Sequence, residues 1–184
     1  MIIFVEGEGD RIFIEMYLKC LGKDGKVSVC DGKDNLQSCK TDIEKAVNKK
    51  NKIKIIFDAD EDALKARDNI KTQLEKLGRT NGYKIEYEIF LFPNNKDIGT
   101  LESLFEKIAT QQKILKCFDE YREKIQAINE NFTLPGKEEK FYAYFYCFGI
   151  KHNAEDLQNN QEKLQKCLDF ESKALESLKT FLCE

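Results

Sequence analysis

The chain has 184 residues, 41% of them hydrophobic and 34% charged, with a net charge of −3. That size and apolar content predict one domain with a single substantial core, and interspersed charges of both signs exclude a general electrostatic pull toward nucleic acid or membrane. Seven cysteines with no C-x-x-C spacing exclude a disulfide framework and a zinc ribbon, and predict reduced thiols used as small core residues.

In chain order, Ile2–Val5 is an uninterrupted apolar run and predicts a buried strand. No cationic region precedes it and Glu6 breaks it, so it is not a signal peptide. Residues 10–21 carry Ile12, Ile14, Met16, Tyr17, Leu18 and Leu21 at helical spacing. A second short strand is predicted at Val27–Cys30, a helix at about 36–47, a third strand at Ile53–Phe57 and a helix at about 61–77. A fourth strand runs from Tyr83 to Phe92 and is stopped by Pro93. Strands alternating with helices predict right-handed crossovers and a mainly parallel four-stranded sheet flanked by helices. From Thr100 to about Asn131 the pattern is helical throughout. Pro135-Gly136 breaks it, and "FYAYFYCF" (141–148) reads as a buried helix, with a strand as the alternative. The chain is helical again from Ala154, with a break near Asp169. The expected organisation is one α/β domain over 1–184, with a sheet core over 1–98 and a mostly helical part over 99–184. "KAVNKKNKIK" (45–54) reads as a solvated helix end, with a phosphate-contacting patch as the alternative. No apolar stretch approaches the roughly 20 residues of a membrane span, so a cytoplasmic protein is expected.

Ligands of parallel sheets bind outside the carboxyl ends of the strands, and acids gather there. The first strand runs into Glu6 and then Asp10, the third into Asp58, Asp60, Glu61 and Asp62, and the fourth leads to Glu102. Asp10, Asp62 and Glu102 sit at helix starts, where acids also serve as caps. Glu6 and Asp58 directly follow apolar strands, where a carboxylate needs a positive partner. Several acids together would repel one another unless a hard cation, Mg²⁺ or Mn²⁺, joined them. The lone His152 lies in a polar stretch and reads as a surface residue, which excludes a histidine-rich metal site and a Ser-His-Asp triad. "GEGD" (7–10) lacks the third glycine of a dinucleotide fingerprint, and Glu6 and Glu8 would face a pyrophosphate. Gly7 and Gly9 instead permit a tight strand-to-helix turn.

"VEGEGD" (5–10) after a first strand, with "DAD" (58–60) after a third, resembles the Toprim domain of topoisomerases, bacterial primases, ribosomal RNA maturases and OLD-type nucleases. Together with "DGKDN" (31–35), "FDADED" (57–62), "PNNKDIGTLESL" (93–104) and "LESLKTFL" (175–182), the chain is similar over nearly its whole length to small stand-alone Toprim-like proteins related to the OLD nucleases. The resemblance implies a Toprim-like fold and a Mg²⁺- or Mn²⁺-dependent nuclease acting on DNA or RNA. It implies that Glu6 takes part in catalysis or metal binding, that Asp58 and Asp60 hold the metal, and that Asp10 and Glu102 complete a two-metal site. Lys140 matches a lysine used near the scissile phosphate, with Lys137 an equally placed rival. Two features depart from the pattern. Ala63 stands where many Toprim domains have glycine, and no G-x-x-x-x-G-K-[ST] motif occurs, so an ATPase would be a separate partner. Lys33, Lys137 and Lys140 are the candidates for nucleic-acid contact. A non-catalytic module binding metal and a nucleic acid or protein is the alternative.

Overall fold

The computed structural model describes all residues except His152 and Asn153, so the expected surface position of His152 lies outside the described residues. The first elements are β1 (Ile2–Val5), α1 (Glu8–Cys20), β2 (Lys26–Val29), a 3₁₀ turn (Leu36–Cys39), α2 (Lys40–Asn48), β3 (Ile53–Asp58), α3 (Ala63–Asn81) and β4 (Tyr87–Phe92). There follow α4 (Leu101–Ile108), α5 (Gln112–Ile128), α6 (Lys137–Tyr146), α7 (Ala154–Asn159), α8 (Gln161–Cys167) and α9 (Glu176–Cys183). They form two compact units, Met1–Leu101 with Leu175–Glu184, and Glu102–Ala174. The last helix, α9, belongs to the first unit with the sheet. Among the described residues no helix is long and apolar enough to cross a membrane.

The sheet unit is an α/β fold with four parallel strands in the order β2-β1-β3-β4. Its central strands are buried along their lengths, as strands covered by helices on both faces must be. Alternate residues sort onto the two faces. Ile2, Phe4, Ile53, Ile55 and Phe57 pack in one cluster with Ile43 of α2 and Ile70 and Leu74 of α3. On the other face Phe92 meets Phe13 of α1, and Phe90 meets Phe181 of α9. Each fully buried Ile or Phe contributes about 1.5–3 kcal/mol. The topology accounts for this sorting. The chain steps from β1 outward to β2, then back across β1 to β3 and on to β4. Right-handed crossovers in opposite directions place α1 on one face and α2 and α3 on the other.

Lys54 is the exception in the core. It is 0% exposed, inside a segment whose sequence reads as solvated. Its Nζ donates to the Phe181 carbonyl in the last turn of α9, lies 4.4 Å from the Phe181 ring centre and pairs with Glu88 at 2.9 Å. A lysine is favoured at a helix C-terminus, and here it also covers an apolar face with its stem. β4 is shorter than the expected 83–92 because α3 continues to Asn81 and closes on Gly82 at φ 73°, after which the Tyr83 N–H bonds the Gly78 carbonyl.

The second unit is helical, and 141–148 lies mostly in α6, as expected. Its core is aromatic: Phe105 lies 5.4 Å from Phe141 and 5.7 Å from Phe145, ring centre to ring centre. The Tyr144 hydroxyl donates to the Cys167 carbonyl at 2.6 Å, giving the buried phenol its partner. The helix expected throughout 100–131 is broken at Ala109–Gln111, where Ala109 pairs with Leu168 in an isolated antiparallel bridge.

Candidate functional site

Where the chain order reverses about β1, the carboxyl ends of β1 and β3 lie side by side, and this switch point is where parallel sheets open a crevice. Glu6 follows β1 and Asp58 ends β3. The Glu6 carboxylate accepts the Asp58 backbone N–H at 2.9 Å, tying the two strand ends together across 52 residues of chain. The Asp58 carboxylate in turn accepts the Leu101 N–H at 2.9 Å.

Asp60 has its backbone in the left-handed region, at φ 51°. Few side chains tolerate that conformation, aspartate among them. Two backbone hydrogen bonds with Gly99, at 2.9 and 2.8 Å, hold it there. Its carboxylate meets the Lys33 ammonium at 2.5 Å. Lys33 arrives on the loop after β2, whose shape is set from both sides. The Gly32 N–H bonds the Glu6 carbonyl, while Asn69 and Gln73 of α3 hold Asp34 and the Lys33 carbonyl at 2.7 and 2.8 Å. Gly32 has φ 113°, a conformation that glycine adopts without strain.

These groups open into a cavity of about 450 Å³ lined by Glu6, Lys33, Asp58, Asp60, Asn69 and Ile70 among others. Burial pushes the Glu6 carboxyl above its ordinary value, and the nearby charge of Asp60 pushes the same way, against the Asp58 N–H and Lys33. The hydrogen bond and charge of Asp60 hold the Lys33 ammonium above its usual range.

Glu6, Asp58 and Asp60 therefore share one cavity wall. Asp10 stands at the start of α1, where its carboxylate accepts the Gly7 N–H at 2.8 Å, and Asp62 caps α3 by accepting from Leu64 and Lys65. Glu102 lies in the first turn of α4, in the second unit. Lys140 belongs to that unit too and is 8% exposed. Its ammonium is held between Glu106 at 3.0 Å and Asp119 at 2.9 Å. Burial alone would depress Lys140, but these two carboxylates outweigh it and hold the lysine above its ordinary value. Lys137 donates to the Ser103 hydroxyl at 3.2 Å. Within its own unit Lys140 is thus held in an ion-pair cluster, while the lysines on the wall of this cavity are Lys33, paired with Asp60, and Lys65, beside Asp62 at 3.6 Å.

Among the described residues no three His, Cys, Asp or Glu side chains are grouped so as to hold a metal ion. Mg²⁺ does not need such a cage. It commonly takes one or two carboxylates and completes its shell with water and substrate phosphates. The oxygen donors on the wall and its excess of carboxylates over lysines fit that mode. Sequence reasoning missed the Lys33–Asp60 pair and the roles of Asn69 and Gln73; the one available signal was that "DGKDN" carries a lysine beside two acids.

Fold and site together define a parallel α/β protein with a carboxylate-lined cavity at its switch point. The family model described as "Protein of unknown function (DUF3226)" matches residues 1–184, and the chain belongs to that family. No curated protein and no solved structure matches the chain.

Proposed function

We propose that this protein is a Mg²⁺- or Mn²⁺-dependent phosphoryl-transfer enzyme, a nuclease acting on DNA or RNA, with a Toprim-like active site. The observation that carries the reading is the junction of two acid-bearing strand ends, Glu6 on Asp58, at the mouth of a cavity with a lysine on its wall. The resemblance of 5–10 and 57–62 to Toprim motifs supports it. Asp58 and Asp60 would hold the ion, with Glu6 beside them as the catalytic carboxylate. A bound divalent cation lowers the pKa of coordinated water and neutralises charge developing on a phosphate. Glu6, whose proton affinity burial raises in the metal-free protein, would accept the proton of the attacking water. Lys33 is now spent on Asp60. With a cation meeting the charge of Asp60, the Lys33 ammonium would be free for the substrate phosphate, where it would stabilise the transition state.

A second reading, a non-catalytic module that binds metal and a nucleic acid or protein, is favoured by the closed Lys33–Asp60 pair and the lack of a three-acid group among the described residues. A cleavage screen on plasmid, single-stranded DNA, tRNA and ribosomal RNA, with and without Mg²⁺ or Mn²⁺, separates the two. Metal-dependent cleavage supports the enzyme; metal binding with no cleavage of any substrate gives the module the lead.

A further inference from the structure

Two thiols nine positions apart in sequence meet beside the loop that carries Lys33. Cys30 follows β2 and is 0% exposed; Cys39 precedes α2 and is 6% exposed. Their sulfurs lie 2.7 Å apart, and the Cys39 thiol is also within 3.2 Å of the Val29 carbonyl, to which it donates. The intervening loop is already closed by other contacts. Ser38 donates to the Cys30 carbonyl at 2.8 Å, and Gln73 accepts from the Leu36 N–H at 2.9 Å. The ordering cost that a disulfide across this loop would normally meet has therefore been met by the fold. A bond of about 2.05 Å requires only a sub-ångström approach of the two sulfurs.

We propose that Cys30 and Cys39 are a redox-active dithiol that closes to a disulfide under hydrogen peroxide. The inference is independent of whether the cavity binds metal. Cys39, the thiol with residual access, attacks one peroxide oxygen. The O–O bond breaks, the departing oxygen leaves as water, and Cys39 becomes a sulfenic acid. Cys30 then attacks that sulfur and gives up its proton, the S–O bond breaks, and a second water leaves. The two thiols lose two electrons and the peroxide gains them. The order of attack agrees with the electrostatics: the shared hydrogen bond, reinforced by burial, raises Cys30, and the same bond lowers Cys39. The disulfide would staple both ends of the segment that holds Lys33 against Asp60.

Trypsin can report the bond directly, because cleavage after Lys26, Lys33 and Lys40 leaves Cys30 in "VSVCDGK" and Cys39 in "DNLQSCK". The full-length protein, kept folded as judged by circular dichroism, would be treated with hydrogen peroxide, alkylated and digested without reductant. The expected product is the two peptides joined, lighter by two hydrogens than their sum and separated by dithiothreitol. Cys30→Ser should instead leave a sulfenic acid on the second peptide, trapped by dimedone. The proposal is overturned if the two peptides stay apart while the exposed Cys20, Cys117, Cys147 and Cys183 oxidise, or if they join only in denaturant.

Discussion

The carboxylates at the ends of β1 and β3 and those around Lys140 all occupy partly buried surroundings, yet the protein treats them in opposite ways. In the second unit, Glu106 and Asp119 grip one ammonium at 3.0 and 2.9 Å, and little of that lysine remains in contact with water. In the sheet unit, Glu6 and Asp58 are satisfied by backbone N–H groups, and one half-exposed lysine answers Asp60 beside a cavity of about 450 Å³. The first arrangement is complete without a ligand. The second keeps surplus negative charge beside open space, and there burial, helped by the charge of Asp60, raises Glu6. Buried charge marks structure when it is matched in place, and marks a site when its match is left to come from outside.

The sharpest way to break this contrast is Asp58→Asn, which keeps the shape of the side chain and removes its charge. Cleavage of whichever substrate the screen identifies should fall by about 100-fold or more, the scale on which removing one electrostatic stabiliser acts. Lys140→Met should do the reverse. It leaves two partly exposed acids without their cation, so chemical denaturation should show a loss of about 1–2 kcal/mol, discounted from the fully buried case. Metal affinity and cleavage rate should not change. Loss of cleavage at unchanged stability would put Lys140 in the chemistry and dissolve the comparison.

Glu6→Gln tests the cost of burying that carboxylate beside Asp60. Because Glu6 is raised in the folded state, the folded protein binds more protons at this position than the unfolded chain. Its contribution to stability is therefore present below the ordinary carboxylate range and lost as pH rises through the folded value. The metal-free Glu6→Gln variant should be more stable than wild type at pH 7. The gain should vanish below about pH 4, near the ordinary carboxylate pKa. A thermal-melting series across pH measures both. The smallest effect on stability belongs to Lys33→Ala: an exposed ion pair contributes about 0–1 kcal/mol, so melting should barely shift while cleavage slows.

What the sequence made legible followed from local physics. β1 and β3 were readable because strands covered on both faces are continuous apolar runs, and Glu6 and Asp58 because each acid directly follows such a run. The Lys33–Asp60 pair was not readable, since it depends on how the loop after β2 folds against Asn69 and Gln73. Lys54 reads as solvated because its cover, the end of α9, lies 127 residues further along the chain. Tyr83–Glu86 continue the apolar alternation of a strand, but the overrun of α3 takes Tyr83 into its cap. Lys140 entered through resemblance alone and Glu102 through its place after the fourth strand as well, and no local pattern distinguishes either from the charges of an ordinary solvated helix.

The most direct test of the central claim is calorimetric titration of the metal-free protein with Mg²⁺ and Mn²⁺, beside Asp58→Asn and Lys140→Met. Saturable binding by wild type and Lys140→Met, weakened by about 10-fold or more in Asp58→Asn, is the predicted result. Wild type that takes up neither ion at millimolar concentration, or Asp58→Asn that binds as wild type does, would contradict it.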